Sequence, residues 1–418
     1  MHLFQYNGDQ LFCEDVPVKK IAEQVGTPFY LYSLNTLSNH FKAFDDAFSA
    51  VPHITCFSLK SNSNLGILSI FAGLGGGADI MSGGELYRAL RAGFSPKKIT
   101  YAGPGKTPEE IEYALKNNIL MFNLESPQEA ESINKVAGKL GKKARVAFRV
   151  NPDVDPRTHP YISTGLKENK FGINIKKAMA EFKKANAMKN LDVAGVHEHI
   201  GSQITQIKPF TDTVKRVKEF IKELKAEGIN IRYFDMGGGL GITYKDEKPP
   251  HPRELANAVI PILKGLDCTF IFEPGRVIVG NAGILISKVL YTKKSEDKNF
   301  VIVDAAMNDL IRPSLYGSYQ EIIPVSKRRG AGNMVVDIVG PICESGDFLA
   351  KKRKIQTLRQ GDLIAVMSAG AYGFTMSSNY NSRLRVPEVI VRGKKFCIAR
   401  KRETYKDLVR GERRLEFK

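Results

Sequence analysis

The stretch ITCFSLKSNSN, residues 54–64, has the pattern of a buried strand that ends at a lysine. Five of its first six residues are apolar or β-branched, which is typical of strands inside a parallel sheet. Lys60 then places a primary amine where the apolar run stops. The fold around this amine follows from the recurrence of the same pattern along the chain.

Short apolar runs of this kind recur along the first two thirds of the chain, with amphipathic helical segments between most of them. The eight runs are ITCFSL (54–59), GADIMS (77–82), ITYAG (99–103), LMFNL (120–124), RVAFRV (145–150), VAGVHEHI (193–200), RYFDMG (232–237) and TFIFEPG (269–275). Thr107 and Ser126 precede two of the helical segments and can cap their first turns. Eight alternating units over about 220 residues favour a closed (β/α)8 barrel. An open doubly wound sheet is the alternative, because short apolar runs are easily miscounted.

The pattern changes at about residue 281, where helical segments become scarce and strand-like runs follow one another. These runs predict an antiparallel β-domain, and the N-terminal runs LFQYNG and PFYLYS supply further strands for it. We therefore predict a fold of the α/β plus all-β class. A TIM-like (β/α)8 barrel covers residues 34–280, and a separate antiparallel β-domain is formed by residues 1–33 and 281–418.

Composition and charge exclude several classes of protein. The formal net charge is +18, but the basic residues are spread along helical segments and mixed with acids, which favours a solvated surface over a nucleic-acid site. The five cysteines show neither metal-ligand spacing nor a disulfide pattern, so we expect no metal site and a reducing compartment. The sequence has no signal-peptide pattern and no apolar run of the roughly 18 residues that a membrane helix needs. We expect a cytoplasmic protein with no membrane contact.

Three polar or glycine-rich motifs follow predicted barrel strands, where active-site residues of such barrels lie. A lysine at a strand end is most often a surface residue, but a desolvated amine at a barrel mouth can form a Schiff base. GGGLG (237–241) is either a tight turn or a loop whose N–H groups bind a phosphate. EPGR (273–276) holds either a surface salt bridge or a functional pair, with Glu273 against a ring nitrogen and Arg276 near an anion.

The functional interpretations together require a cofactor with an aldehyde, a phosphate and a basic ring nitrogen. Pyridoxal 5'-phosphate has all three. Lys60 would hold the aldehyde, Gly237–Gly239 would hold the phosphate, and Glu273 would keep the ring nitrogen protonated.

The sequence resembles the diaminopimelate decarboxylase family, a group of pyridoxal phosphate enzymes with the alanine racemase-like fold, nearly from end to end. The motifs that carry the resemblance are FSLKSN, GGADIMSGGEL, HPYISTGLKENKFGI, GVHEHIGSQI, DMGGGLGITY, EPGRVIVGNAG, DAAMNDLIRPSLYGSY, GPICESGD and GAYGFTMSSNYNSR.

The resemblance implies a role for each matching position. Lys60 and Cys343 would be catalytic. The implied cofactor-binding residues are Lys60, His199, Ser202, Gly237, Gly238, Gly239, Glu273, Pro274, Gly275, Arg276 and Tyr372, and the implied substrate-binding residues are Arg276, Arg312, Tyr316, Glu344 and Tyr372. Cys343 and Glu344 would reach in from a partner subunit, so that a homodimer with shared active sites is expected. His197 is interpreted as a core histidine.

The implied activity is that of a carboxy-lyase, which converts meso-2,6-diaminopimelate to L-lysine and carbon dioxide through an external aldimine, the last step of lysine biosynthesis. Two alternatives stay open: an ornithine- or arginine-type decarboxylase of the same fold, and a non-catalytic pyridoxal phosphate-binding protein. The first would leave Arg312 without a distal carboxylate to bind. Intact Lys60, Cys343 and Glu344 argue against the second.

Overall fold

A computed structural model describes residues 2–154 and 171–417 of the chain, in two compact units. One unit comprises Ser38–Thr243 and Glu247–Ile278. The other comprises the chain up to Leu37, the short segment Tyr244–Asp246 and the chain from Val279 onward. Most of the predicted motif HPYISTGLKENKFGI, residues 159–170, lies outside the described residues.

The first unit contains a closed ring of eight parallel strands. They are His53–Ser58, Gly77–Ile80, Ile99–Tyr101, Met121–Leu124, Ala144–Asn151, Leu191–His197, Tyr233–Asp235 and Thr269–Phe272. Each strand pairs with the next, and the eighth pairs with the first, Phe270 lying opposite His53. All eight predicted strands are therefore confirmed, and the closure excludes an open sheet.

Helices follow most barrel strands. The α-helices that lie in the first unit or cross its boundaries are Leu34–Ala47, Leu65–Gly73, Gly83–Ala92, Pro108–Lys116, Pro127–Lys139, Ile175–Asn186, Lys208–Ala226, Pro252–Leu263 and Arg276–Val279. The predicted caps form, because Thr107 and Ser126 accept hydrogen bonds from the backbone N–H groups of Glu110 and Glu129. No helix among the described residues is long and apolar enough to cross a membrane.

The second unit is built on a nine-stranded sheet. Its strands are Phe29–Ser33, Gly283–Lys294, Asn299–Val303, Ile322–Pro324, Asn333–Val339, Phe348–Gln356, Leu363–Val366, Glu388–Arg392 and Lys395–Arg400. Most pairs are antiparallel, as predicted, but Asn299–Val303 pairs parallel with Asn333–Val339, and Phe29–Ser33 pairs parallel with Glu388–Arg392.

The two N-terminal runs have different positions in this unit. PFYLYS supplies the strand Phe29–Ser33 near the middle of the nine-stranded sheet, where all five residues are buried. LFQYNG supplies the strand Phe4–Asn7 of a separate three-stranded sheet, with Gln10–Cys13 and Val16–Pro17. Side chains of both sheets share one apolar core, which explains why both runs are rich in apolar residues.

Candidate active site

Lys60 lies just beyond the end of the first barrel strand. The strand ends at Ser58, and Lys60 is in the one-turn 3-10 helix that follows. Its side chain is 35% exposed, and its Nζ is 3.9 Å from Oδ2 of Asp79, which is fully buried on the second strand. Ser58 Oγ donates a hydrogen bond of 2.5 Å to the same carboxylate oxygen. The predicted amine therefore lies next to a buried acid, which is not the environment of an ordinary surface lysine.

A cavity of about 330 Å³ brings Lys60 together with two other predicted residues, His199 and Glu273. Its remaining lining residues are Met81, Ala102, Gly103, Pro104, Gly105, Glu125, Arg149, Phe171 and His197. Most of these residues come from the carboxyl ends of barrel strands or the loops that follow them, the end at which barrels of this type place their active sites.

His199 is oriented by the glycine-rich turn. Gly238 N–H donates to His199 Nδ1 at 3.1 Å, so Nδ1 is the acceptor and the neutral ring carries its proton on Nε2. Burial and the positive charge of Lys60 hold the pKa of His199 well below its usual value, which is consistent with a neutral imidazole. His199 therefore presents a flat, uncharged ring at the cavity.

The turn Gly237–Gly239 follows the seventh strand and packs tightly against its neighbours. Gly237 and Gly239 have φ values of +58° and +115°, a region that L side chains rarely adopt. A Cβ at Gly237 would lie 2.8 Å from His199 Nδ1, and one at Gly239 would lie 2.6 Å from Gly201 O. A turn without side chains permits a ligand to approach its backbone closely, although the N–H groups of Gly237 and Gly238 already donate to Asp235 Oδ1 and His199 Nδ1.

Ser202 and Arg276, which the sequence predicts to bind anionic groups, are hydrogen-bonded to each other. Arg276 is only 4% exposed, and its Nη2 and Nε donate to Ser202 Oγ at 2.9 Å and 3.3 Å. Gly275, the residue before Arg276, packs against Ser58 and Ser61 of the lysine turn, where a Cβ would lie 2.9 Å from Ser61 Oγ. The EPGR segment is thus fixed directly against the turn that carries Lys60.

Glu273 belongs to a polar cluster in the barrel interior. Asn123 Nδ2 donates to Asp235 Oδ2 at 2.8 Å and to Glu273 Oε1 at 3.3 Å. His197 Nε2 lies 3.5 Å from Glu273 Oε2. Burial raises the pKa of Glu273, while the positive charge of Lys60 opposes that shift. His197, which we interpreted as a core histidine, is 1% exposed but also lines the cavity.

In the second unit, Arg312 lies among three tyrosines. It is 6% exposed and begins the short helix Arg312–Tyr316. Its guanidinium carbon is 5.3 Å, 5.7 Å and 5.8 Å from the ring centres of Tyr316, Tyr244 and Tyr372, respectively. Tyr372 has a φ of +55°, which is unusual for a bulky residue. The structure therefore brings three predicted residues, Arg312, Tyr316 and Tyr372, into one cluster.

Cys343 and Glu344 lie in the loop between Asn333–Val339 and Phe348–Gln356, and both are exposed. Cys343 N–H donates to Asn381 Oδ1 at 2.9 Å. Glu344 Oε1 accepts from Gly346 N–H at 3.2 Å, and its Oε2 lies 3.5 Å from the hydroxyl of Tyr380. The loop is thus held by local hydrogen bonds, and its thiol is exposed in this chain.

Comparison with known proteins identifies the family. Residues 34–280 match the family model described as "Pyridoxal-dependent decarboxylase, pyridoxal binding domain". The chain is 52% identical over 410 residues to a diaminopimelate decarboxylase of Vibrio cholerae, covering 98% of each chain. The chain belongs to the pyridoxal-dependent decarboxylases. Among solved structures, the diaminopimelate decarboxylase of Helicobacter pylori complexed with L-lysine has a TM-score of 0.91 and 44% identity, covering 94% of this chain and 98% of that chain.

The barrel residues of this decarboxylase fit pyridoxal phosphate. An amine and a buried carboxylate line the same cavity, through Lys60 and Glu273. The Gly237–Gly239 turn has no side chains to obstruct a phosphate, and Ser202 with Arg276 adds a hydroxyl and a guanidinium. These groups match the aldehyde, ring nitrogen and phosphate of the cofactor.

Several site residues were missed by sequence reasoning. Asp79 and Asp235 lie within barrel strands, while Arg149 lines the cavity and pairs with Glu125 at 3.0 Å. Arg149 also donates to His199 O at 3.0 Å and lies over the ring of Phe171, 4.6 Å from its centre. The available signal was a charged residue inside an otherwise apolar barrel strand, as in RVAFRV and RYFDMG.

Proposed function

We propose that this protein is a diaminopimelate decarboxylase, a carboxy-lyase that forms L-lysine and carbon dioxide from meso-2,6-diaminopimelate. The observation that carries this proposal is the placement of Lys60, His199 and Glu273 around one cavity at the barrel mouth. The substrate is supported by relatives named diaminopimelate decarboxylase that match this chain over nearly its full length, including one of Haemophilus influenzae at 49% identity.

The proposed roles of the barrel residues follow from their chemistry. Lys60 would hold the cofactor aldehyde through its amine. Gly237–Gly239 with Ser202 bind the phosphate, His199 packs on the ring, and Glu273 pairs with the ring nitrogen. When bound, the cofactor supplies a protonated ring that withdraws the electron pair left as carbon dioxide departs. An ionised Glu273, which is buried, would keep that nitrogen protonated because its negative charge stabilises the positive ring.

The proposed substrate residues bind the ends of an amino-acid chain with two charged heads. Arg276 and Arg312, with Tyr316 and Tyr372, bind carboxylate groups, and Glu344 binds the distal ammonium. Cys343 returns a proton from Sγ to the α-carbon after carbon dioxide has left. A distal head with both charges distinguishes diaminopimelate from ornithine, arginine and lysine, which lack the distal carboxylate.

The substrate is tested by assaying carbon dioxide release from meso-diaminopimelate, ornithine, arginine and lysine. We expect kcat/KM for diaminopimelate to exceed that for the other three by at least about 100-fold, because the receptor for the distal carboxylate is left unpaired without it. A preference for ornithine or arginine would support the basic amino-acid decarboxylase instead. Cofactor binding with no release from any of the four would indicate a non-catalytic binding protein.

We propose further that two copies of the chain complete each other's sites through Cys343 and Glu344. Exposure of the Cys343 thiol in a single chain supports this arrangement. We expect that Lys60→Ala and Cys343→Ala chains are each inactive, and that mixing them restores up to about one quarter of wild-type activity. Random exchange makes half the dimers hybrids, and each hybrid has one intact site of two.

The measurement is carbon dioxide release after subunit exchange, with exchange verified by tagged chains. A mixture of Lys60→Ala chains with His199→Ala chains is the matched control, because both changes fall in the same barrel and leave no intact site in a hybrid. Proven exchange without recovered activity in the first mixture would contradict the shared site.

A further inference from the structure

Three carboxyl groups and one imidazole cluster beside Lys60 in the barrel interior. Asp79 and Asp235 are fully buried, and Glu273 and His197 are 4% and 1% exposed. Side-chain atoms of His197, Asp235 and Glu273 all lie within 4.8 Å of one another. Such a concentration of buried acids requires compensation by positive charge or by protons.

The described positive charges around this cluster are too few for three anions. Lys60 lies 3.9 Å from Asp79. Arg149 is already paired with Glu125 at 3.0 Å, and the buried Lys106 is paired with Glu129 at 2.7 Å. One cation is therefore left for three carboxyl groups.

The other titratable neighbours supply no further positive charge. Burial and the charge of Arg149 hold the pKa of His197 well below its usual value, so its ring is neutral. His199 is neutral for the reasons given above. Cys56 and Glu198 are buried groups whose pKa values burial raises well above normal, so both are neutral too. The remaining charge of the cluster must be removed by protons.

Several buried polar atoms of the cluster could form hydrogen bonds if protons were added to its carboxyl groups. Within the described residues, Asp79 Oδ1, Asn123 Oδ1 and both ring nitrogens of His197 are buried without a hydrogen-bond partner. Asn123 Nδ2 is shared between Asp235 and Glu273, which holds these two carboxyl groups side by side. A carboxylic acid offers an O–H donor that a carboxylate lacks, and so can bond directly to a second carboxyl group.

We propose that Asp79, Asp235 and Glu273 form one proton-sharing cluster with a single negative charge, in which Asp79 and Asp235 are neutral acids that donate hydrogen bonds to a charged Glu273. Burial raises the pKa values of Asp79 and Asp235 well above normal, and the negative charge of Glu273 adds to both shifts. Lys60 lowers the pKa values of both Asp79 and Glu273, against the burial that raises them. We assign the negative charge to Glu273 because its two oxygens lie 3.3 Å from Asn123 Nδ2 and 3.5 Å from His197 Nε2.

The consequence for catalysis rests on the proposed role of Glu273 at the ring nitrogen. Two donors keep Glu273 ionised in a dry interior, so that it can hold a proton on the nitrogen without taking that proton itself. Asp79 and Asp235 are then positioning residues that act through Glu273. The charge state of the cluster can be tested without any assumption about cofactor or substrate.

The experiment is infrared spectroscopy of the full, cofactor-free chain at about pH 9, where exposed carboxyl groups are ionised. Asp309, whose pKa burial raises to about 7, is also ionised there. Carbon-13 labelling of aspartate shifts the carbonyl bands of the aspartic acids away from the band of the buried Glu198. We expect a labelled carbonyl band of protonated aspartic acid in the wild type, and loss of about half its intensity in Asp79→Asn and in Asp235→Asn.

The control is Asp46→Asn, an exposed aspartate on helix Leu34–Ala47, which should leave the band unchanged. Because asparagine is neutral, like the proposed acids, both cluster variants should keep melting temperatures near that of the wild type. If a variant does not fold, the presence or absence of the protonated aspartate band in the labelled wild-type protein tests the proposal by itself. Absence of a protonated aspartate band at about pH 9 would overturn the proposal, whatever the substrate proves to be.

Discussion

Replacing Lys60 by alanine is expected to lower carbon dioxide release from diaminopimelate by at least about 10⁴-fold, because the cofactor loses its proposed covalent attachment. The visible absorbance that reports the bond between lysine and cofactor should disappear in the same variant. The phosphate contacts that we propose at Gly237–Gly239 do not involve Lys60, so some cofactor should still bind. Retention of more than about one tenth of wild-type activity would contradict the proposed role.

Two further variants separate the covalent role of Lys60 from its charge. Lys60→Arg keeps a positive charge near Asp79 but offers no amine that can be deprotonated, so it should be as inactive as Lys60→Ala. Lys42→Ala removes an exposed lysine from a barrel helix and should leave both activity and absorbance unchanged. Recovery of activity in Lys60→Arg would mean that charge, and not bond formation, is what the site requires.

The barrel could be predicted from sequence because its strands are buried on both faces and therefore carry continuous apolar runs. In the second unit, the alternation of strands and turns was visible, but the two parallel pairs were not. The pairing of Phe29–Ser33 with Glu388–Arg392 joins residues more than 350 positions apart, with Glu388 opposite Tyr30. No local sequence pattern predicts this pairing, because each edge of a strand can pair with either a parallel or an antiparallel neighbour.

The site was predictable where a motif projects beyond a strand end, as with Lys60 and the Gly237–Gly239 turn. It was not predictable where function depends on side chains that point into the barrel. Asp79 is the third residue of the strand Gly77–Ile80 and Asp235 is the last residue of Tyr233–Asp235. The alternation of inward and outward residues cannot be read from runs of three or four residues. The hydrogen bonds that Asn123 donates to Asp235 and Glu273 join residues more than 100 positions apart, and only the folded barrel brings them together.

We propose that Arg312 contributes to substrate specificity. It lies 5.3–5.8 Å from the ring centres of three tyrosines, whose faces favour a cation. A distal substrate carboxylate would form a charge-assisted pair with this guanidinium. The alternative is that Arg312 only braces the second unit, in which case its loss should weaken the protein toward every substrate alike.

Arg312→Ala is therefore expected to lower kcat/KM for diaminopimelate by roughly 30- to 4,000-fold, since losing one member of a buried charged hydrogen-bonded pair costs about 2–5 kcal/mol. Lysine, which has no distal carboxylate, should lose little. Arg353→Ala is the control, because Arg353 lies in the second unit, is partly buried and is 4.0 Å from the ring centre of Tyr319, but has no proposed substrate role. Kinetics with both substrates, measured alongside melting temperatures, separate the two interpretations. An equal loss for diaminopimelate and lysine, with a lowered melting temperature, would assign Arg312 to stability and refute its role in specificity.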